Sequence, residues 1–186
     1  MMVDGSQLPF AENVALTRAV VADAHGAGVW VEAELGALAG DEDASTGVAS
    51  GELTDPAQAV EFVDRTGVDV LAAAVGTVHG FTTSPVHVDL ERLEMIARLT
   101  GVPQALHGAS GLSDADLTAA VKAGIGKVNI NAELRRAYLS TLAAELPNVR
   151  DDVRVLQRKA ITAMTEVAAE KLAVLGQHSA ERRDDR

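Results

Sequence analysis

Val68-Asp69-Val70-Leu71-Ala72-Ala73-Ala74-Val75, followed at once by Gly76-Thr77-Val78-His79-Gly80, is the stretch that decides the fold. The run is apolar apart from Asp69 and does not alternate with polar residues. Such a run reads as a strand covered on both faces, as in a parallel sheet. The glycine-marked turn behind it leads to a helical stretch at Asp89–Thr100, which stops at Gly101 with Pro103 just beyond. The same unit recurs along the chain. Further apolar runs lie at Met1–Asp4, Val29–Leu35, Pro103–His107 and Lys127–Asn131. Between them are helical segments with their own start signals. Leu16, Val20 and Ala24 fall on one face of Glu12–Ala24. Asp55-Pro56 pairs an N-cap residue with proline at the first helical position. Ser113 and Asp116 have capping-box spacing ahead of Leu117 and Val121. Ala132–Leu146 and Asp151–Leu175 close the chain, with Pro147 between them.

Repeated βα units predict an α/β protein with a parallel sheet, either a (β/α)8 TIM barrel or an open doubly wound sheet. Five strands are visible, whereas a closed barrel takes eight strands and about 250 residues. The barrel reading therefore describes an incomplete barrel, about five of eight βα units, forming the C-terminal portion of one. A single domain over residues 1–176 is expected, with residues 177–186 as a polar tail. Five strands leave two unpaired edges, which predicts self-association.

Composition narrows the function. The chain has 186 residues, 47% hydrophobic and 23% charged, an ordinary globular balance. Its 16 Lys and Arg against 27 Asp and Glu give a net charge of −11, which argues against a nucleic-acid surface. No apolar run reaches the roughly 18 residues that span a bilayer, so no membrane partner is expected. There is no cysteine, which excludes a disulfide scaffold and a cysteine nucleophile and suggests the cytoplasm. Neither a G-x-G-x-x-G nor a P-loop motif is present.

In parallel α/β folds, chemistry gathers at the carboxyl ends of the strands. Two of those ends carry a His-Gly pair, His79-Gly80 and His107-Gly108. Imidazoles on neighbouring strand tips can converge on one ion, such as zinc; the plain alternative is a pair of hydrogen-bonded turn residues. Gly80, Gly108, Ser110 and Gly111 could turn backbone N–H groups toward a phosphate, helped by the N-terminus of a helix near Ser113. The segment Gly36–Gly51 lacks periodicity and carries Asp41, Glu42 and Asp43, so it reads as a lid or binding loop able to deliver a carboxylate base. His25 is expected to cap the first helix, Asp4 and Ser6 to form a turn, and Lys127 to open a strand at the end away from the chemistry.

Five stretches carry a resemblance. They are Val3-Asp4-Gly5-Ser6 with Leu8-Pro9-Phe10-Ala11-Glu12-Asn13; Val31-Glu32-Ala33-Glu34-Leu35-Gly36; Gly76-Thr77-Val78-His79-Gly80; Leu106-His107-Gly108-Ala109-Ser110-Gly111; and Lys127-Val128-Asn129-Ile130-Asn131-Ala132-Glu133-Leu134. In this order and spacing the chain resembles the class II, metal-dependent ketose-bisphosphate aldolases, which act on fructose 1,6-bisphosphate and tagatose 1,6-bisphosphate. The resemblance implies a TIM barrel and a zinc-dependent lyase of carbohydrate metabolism, working as a dimer or tetramer on a sugar phosphate. It implies His79 and His107 as zinc ligands, Glu34 as an alternate ligand, and Glu42 as the base that removes a proton from the ketose phosphate. It implies Gly80, Gly108, Ser110 and Asn131 around the phosphate and a monovalent cation, Na+ or K+, and Asn129 on the substrate. The family's Asp-His pair from an earlier strand has no counterpart here, no lysine stands in Phe81-Thr82-Thr83-Ser84, and Ala132 replaces a common threonine. The alternative is a non-catalytic sugar-phosphate-binding or assembly protein derived from the same barrel.

Overall fold

The computed structural model describes residues 1–37, 51–80, 86–148 and 152–181, with side chains to residue 176. Its centre is a five-stranded parallel sheet in sequential order: β1 (Met2–Val3), β2 (Glu32–Leu35), β3 (Val70–Ala73), β4 (Gln104–Leu106) and β5 (Ile125–Val128). Each strand returns parallel to the one before it, so a helix must cross over between them. The crossovers are α1 (Phe10–Gly26), α2 (Pro56–Thr66), α3 (Leu90–Thr100) and α4 (Asp114–Lys122); α5 (Ala132–Glu145) and α6 (Val153–Glu181) come after β5. This is the expected α/β architecture. Among the described residues β1 and β5 do not pair with each other, so the barrel is not closed.

The predicted caps form. Asp55 accepts from the Ala57 and Gln58 amides, with Pro56 at the first position of α2. Ser113 Oγ accepts from Asp116 N; Asp89, read as the first residue of its helix, instead caps α3 and accepts from Arg92 N. The Ser6 amide donates to Asp4 Oδ1 in the turn after β1. Three further readings are corrected. The fifth strand is Ile125–Val128 and not Lys127–Asn131, so Lys127 sits inside the strand. The apolar Ile125 begins it because it packs beneath α4, whereas Asn129 continues only one ladder bond, from its amide to Leu106 O. His25 does not cap α1: its Nε2 lies 2.9 Å from Asp69 Oδ2 instead. Finally, α6 runs through Gly176 and its backbone continues to Glu181.

The two faces of the sheet differ. Ala33, Leu35, Leu71, Ala73 and Leu106 point to the helices and join Val14, Phe62, Leu93, Ile96 and Leu117 in one buried core. The opposite face carries Glu32 and Glu34 on β2, since residues two apart share a face. Register sets Glu34 beside Ala72, and Ala72 beside Ala105. His107 lies two residues beyond Ala105, and Lys127 is paired with Ala105. The polar residues of three strands therefore share one face.

The stem of the segment after β2 is tied to the sheet. Thr54 is buried; its hydroxyl donates to Leu35 O and accepts from Ala74 N at 2.8 Å, and its amide donates to Ala74 O at 2.9 Å. Gly36, at φ +83°, lies directly beneath: a Cβ there would stand 2.5 Å from Thr54 Oγ1 and 2.9 Å from Glu52 O. Gly36→Ala is expected to destabilise the chain by about 2 kcal/mol or more, from the left-handed backbone alone plus the clash. Urea denaturation followed by circular dichroism measures it; an unchanged midpoint would contradict this packing.

Candidate active site

The residues just past the carboxyl ends of the strands build the open end of the sheet. His79 lies beyond β3 and His107 directly beyond β4; Asn129 and Asn131 lie beyond β5. His79, Gly80, Gly108, Ser110, Asn129, Asn131 and Ala132 line one small pocket. All five residues expected around the substrate and its phosphate thus share a wall with His79. Gly108 makes the close approach possible. Its φ is +64°, and a Cβ there would stand 2.5 Å from Val78 O. The strand-end loops carrying His79 and His107 touch through that missing side chain.

The helix facing the pocket is α5, not the α4 expected from Ser113. Ser110 Oγ accepts from the amides of Asn131 and Ala132, at 3.3 and 3.1 Å, where α5 begins. Asn131, at the N-cap position, makes no side-chain cap bond, so Ser110 serves as the cap. Glu133 in the first turn of α5 accepts from Gly111 N at 2.6 Å and lies 3.3 Å from Lys171 on α6. These contacts fix the loop after β4 against the start of α5.

Behind the pocket is a buried charge cluster. His107 Nε2 lies 2.7 Å from Glu32 Oε1, and His107 Nδ1 lies 3.1 Å from Glu34 Oε1. Lys127 Nζ holds the other oxygen of Glu32 at 2.7 Å. Asn129 Nδ2 is 3.1 Å from His107 Nε2. His107, Glu32 and Glu34 are all buried. Burial favours a neutral ring, but hydrogen bonds to Glu32 and Glu34 outweigh it and lift the His107 pKa to about 9. Burial pushes the Glu32 carboxyl up; the hydrogen bonds from His107 and Lys127 prevail and hold it below its ordinary value. Sequence reasoning missed Glu32 and set Lys127 aside. The signal was available: Glu32 and Glu34 are two apart on one strand, so a face that takes one carboxylate takes both.

Zinc binds imidazole nitrogen and carboxylate oxygen at about 2.0–2.1 Å, so two ligands on a tetrahedral ion stand about 3.3 Å apart. The Glu34 to His107 Nδ1 separation of 3.1 Å is close to that edge. The His79 and His107 ring centroids are 6.1 Å apart and tilted by 53°, about 1 Å wider than two rings sharing one such ion. The donors therefore suit zinc in kind, and one edge suits it in spacing. Among the described residues, no group of three or more His, Asp or Glu side chains is gathered closely enough to hold a metal by itself. Glu42 lies outside the described residues.

Two outcomes are expected. In metal-free protein the imidazolium of His107 is stabilised by folding, because its folded value of about 9 exceeds the ordinary 6.5. That contribution is complete below pH 6.5 and lost as pH rises through 9, so melting temperatures in EDTA should fall across this window; in His107→Gln the fall should be smaller. Gly108→Ala should force Val78 away from β4 and destabilise the chain by about 2 kcal/mol or more in urea denaturation, since its φ is +64° and its Cβ would meet Val78 O. An unaltered midpoint would show that the two loops need not touch.

The chain matches the family model described as fructose-bisphosphate aldolase class-II over residues 1–180. Among solved structures it is similar to the YdjI aldolase from Escherichia coli, at 38% identity and a TM-score of 0.80, over 94% of this chain and 60% of that one. A Coccidioides immitis protein assigned as a fructose-1,6-bisphosphate aldolase is 32% identical with a TM-score of 0.85, over 94% and 62% of the two chains. A fructose-bisphosphate aldolase from Campylobacter jejuni, 23% identical with a TM-score of 0.76 over 94% and 59%, shares the fold. The chain spans about three fifths of the length of these proteins. A parallel sheet with its polar groups at the strand ends, matched along almost the whole chain by one family model, has one reading: the chain belongs to the class-II fructose-bisphosphate aldolase family.

Proposed function

We propose that this chain forms the catalytic wall of a zinc-dependent ketose-bisphosphate aldolase. The reaction is reversible cleavage of fructose 1,6-bisphosphate, or of tagatose 1,6-bisphosphate, to dihydroxyacetone phosphate and glyceraldehyde 3-phosphate. The observation that carries the reading is the gathering of His79, Gly80, Gly108, Ser110, Asn129 and Asn131 about one pocket beside the buried His107 cluster. Identities of 38% and 32% to aldolases support the reaction class.

His79 and His107 would hold the zinc, with Glu34 as the carboxylate ligand. When bound, zinc supplies Lewis-acid polarisation of the ketose carbonyl. The backbone amides at Gly80 and Gly108, with the Ser110 hydroxyl and Asn131, would hold a phosphate at the start of α5, where the helix end is electropositive. A monovalent cation, Na+ or K+, would balance charge beside that phosphate. Asn129 would orient a substrate hydroxyl, and Glu42 would take the proton next to the carbonyl. A homo-oligomer is supported by the exposed Leu139 and Leu146 at α5 and Val153 and Ile161 on α6.

The assay joins the chain to the remaining length that its relatives carry and monitors triose phosphate release from each bisphosphate. Cleavage should vanish in EDTA and return with zinc. Glu42→Gln should lower kcat by about 10²–10⁴-fold and leave zinc content unchanged. Full activity in EDTA would overturn the reading; metal-independent binding of sugar phosphate without cleavage would favour a non-catalytic binding protein.

A further inference from the structure

We propose that Glu32, itself anchored by Lys127, is a positioning residue that fixes which nitrogen of His107 faces the metal. The proposal rests on the zinc reading of this site and adds residues that do not themselves bind zinc. The geometry makes the assignment. A carboxylate only accepts hydrogen bonds, so the 2.7 Å contact between Glu32 Oε1 and His107 Nε2 places a proton on Nε2. Asn129 Nδ2, 3.1 Å from the same nitrogen, is then a neighbour and not its donor. By the same rule Nδ1, 3.1 Å from Glu34 Oε1, holds a proton in the metal-free chain. Glu34 is the carboxylate read as a zinc ligand and Glu32 is not, so this is the proton that would give way to the metal, and Nδ1 the nitrogen that would bind. A ring whose far N–H is held by a carboxylate is locked in tautomer and angle, and is a stronger ligand for it.

Glu32 could not do this unaided. Its side chain starts on β2 beside Val70 and reaches His107 past the intervening β3, whose next residue on that face is Ala72. Lys127 comes from β5 on the far side and takes the other oxygen, Oε2, at 2.7 Å. The carboxylate is thus held at both oxygens, one to the ring and one to the ammonium. Its plane, and with it the plane of the ring, is set by two strands that carry no zinc ligand between them apart from Glu34. Lys127 is about half exposed while Glu32 is buried, so the ammonium reaches in from the solvent side of the cluster.

The test uses the chain with zinc as the probe. Affinity is read by competition with a chromogenic chelator, and the His107 ring nitrogens by long-range ¹H–¹⁵N correlation in the zinc-loaded protein. Glu32→Leu should weaken zinc binding by about 10–100-fold. Glu32→Gln keeps an accepting oxygen for the ring but sets its amide NH2 against the Lys127 ammonium, so it should lose less affinity than Glu32→Leu and about as much as Lys127→Met, which leaves the carboxylate in place but free to swing. The parent should show Nε2 protonated and Nδ1 shifted by the metal. Circular dichroism and melting temperature accompany every variant, and Lys127→Met carries the test if Glu32→Leu does not fold. A role confined to packing would lower stability in Leu and Gln alike without the Gln rescue. Parental affinity in both Glu32→Leu and Lys127→Met, or a metal-shifted Nε2, overturns the positioning role while leaving the zinc reading intact. His107 nitrogens that ignore zinc in the parent overturn both.

Discussion

Two carboxylates cannot be buried side by side without compensation, and the interior face of this sheet depends on how that is achieved. Glu32 and Glu34 stand two residues apart on β2, both buried. Left alone they would repel each other and lose hydration that costs several kcal/mol per ion. The imidazole of His107 bridges them, and the ammonium of Lys127 meets the outer oxygen. With His107 protonated up to about pH 9, two negative and two positive charges balance. The balance joins β2, β4 and β5, which lie up to three strand spacings apart. On a flat sheet β2 and β5 would be about 14 Å from each other. Side chains that meet across that span need the sheet curled with this face concave, which is the curl of a barrel wall.

Much of this was legible in the residues. The near-continuous apolar runs, of which Val68–Val75 is the clearest, announce parallel strands because both faces are covered. Asp55-Pro56 and Ser113 with Asp116 mark helix starts through local hydrogen bonding, which needs no tertiary knowledge. The His-Gly pairs at matching strand ends lead to the end of the sheet that carries the pocket. Other features were hidden. The start of β5 depends on Ile125 packing under α4, a contact between segments. Which helix points at the pocket depends on Ser110 reaching the amides of Asn131 and Ala132, more than twenty residues away. Lys127 reads as a strand-opening surface residue until its partner, 95 positions earlier, is known. Glu42 falls outside the described residues, and its role stands on resemblance alone.

The likeness to the family runs along residues 1–180, and the pocket lined by His79, Gly108, Ser110 and Asn129 lies at the strand ends within that span. The chain spans about three fifths of its relatives, and what it contains is the wall where the His107 cluster and the pocket meet. Helices cover the other face in strand order, so the polar residues gather on the face away from them.

Ala72 and Ala105 have no functional group, and yet they govern the site. Both are buried on the concave face, between the glutamates of β2 and the ring and ammonium that meet them. Their importance lies in volume withheld. A methyl is small enough for charged side chains to lean across it, and a leucine would wedge the ionic pairs apart without touching a single polar atom. Any scan for active residues that inspects only acids, bases and nucleophiles would pass over these two. The chemistry of this wall is spaced by hydrocarbon, and the tolerance of its inner surface to change is set where the chain looks least interesting.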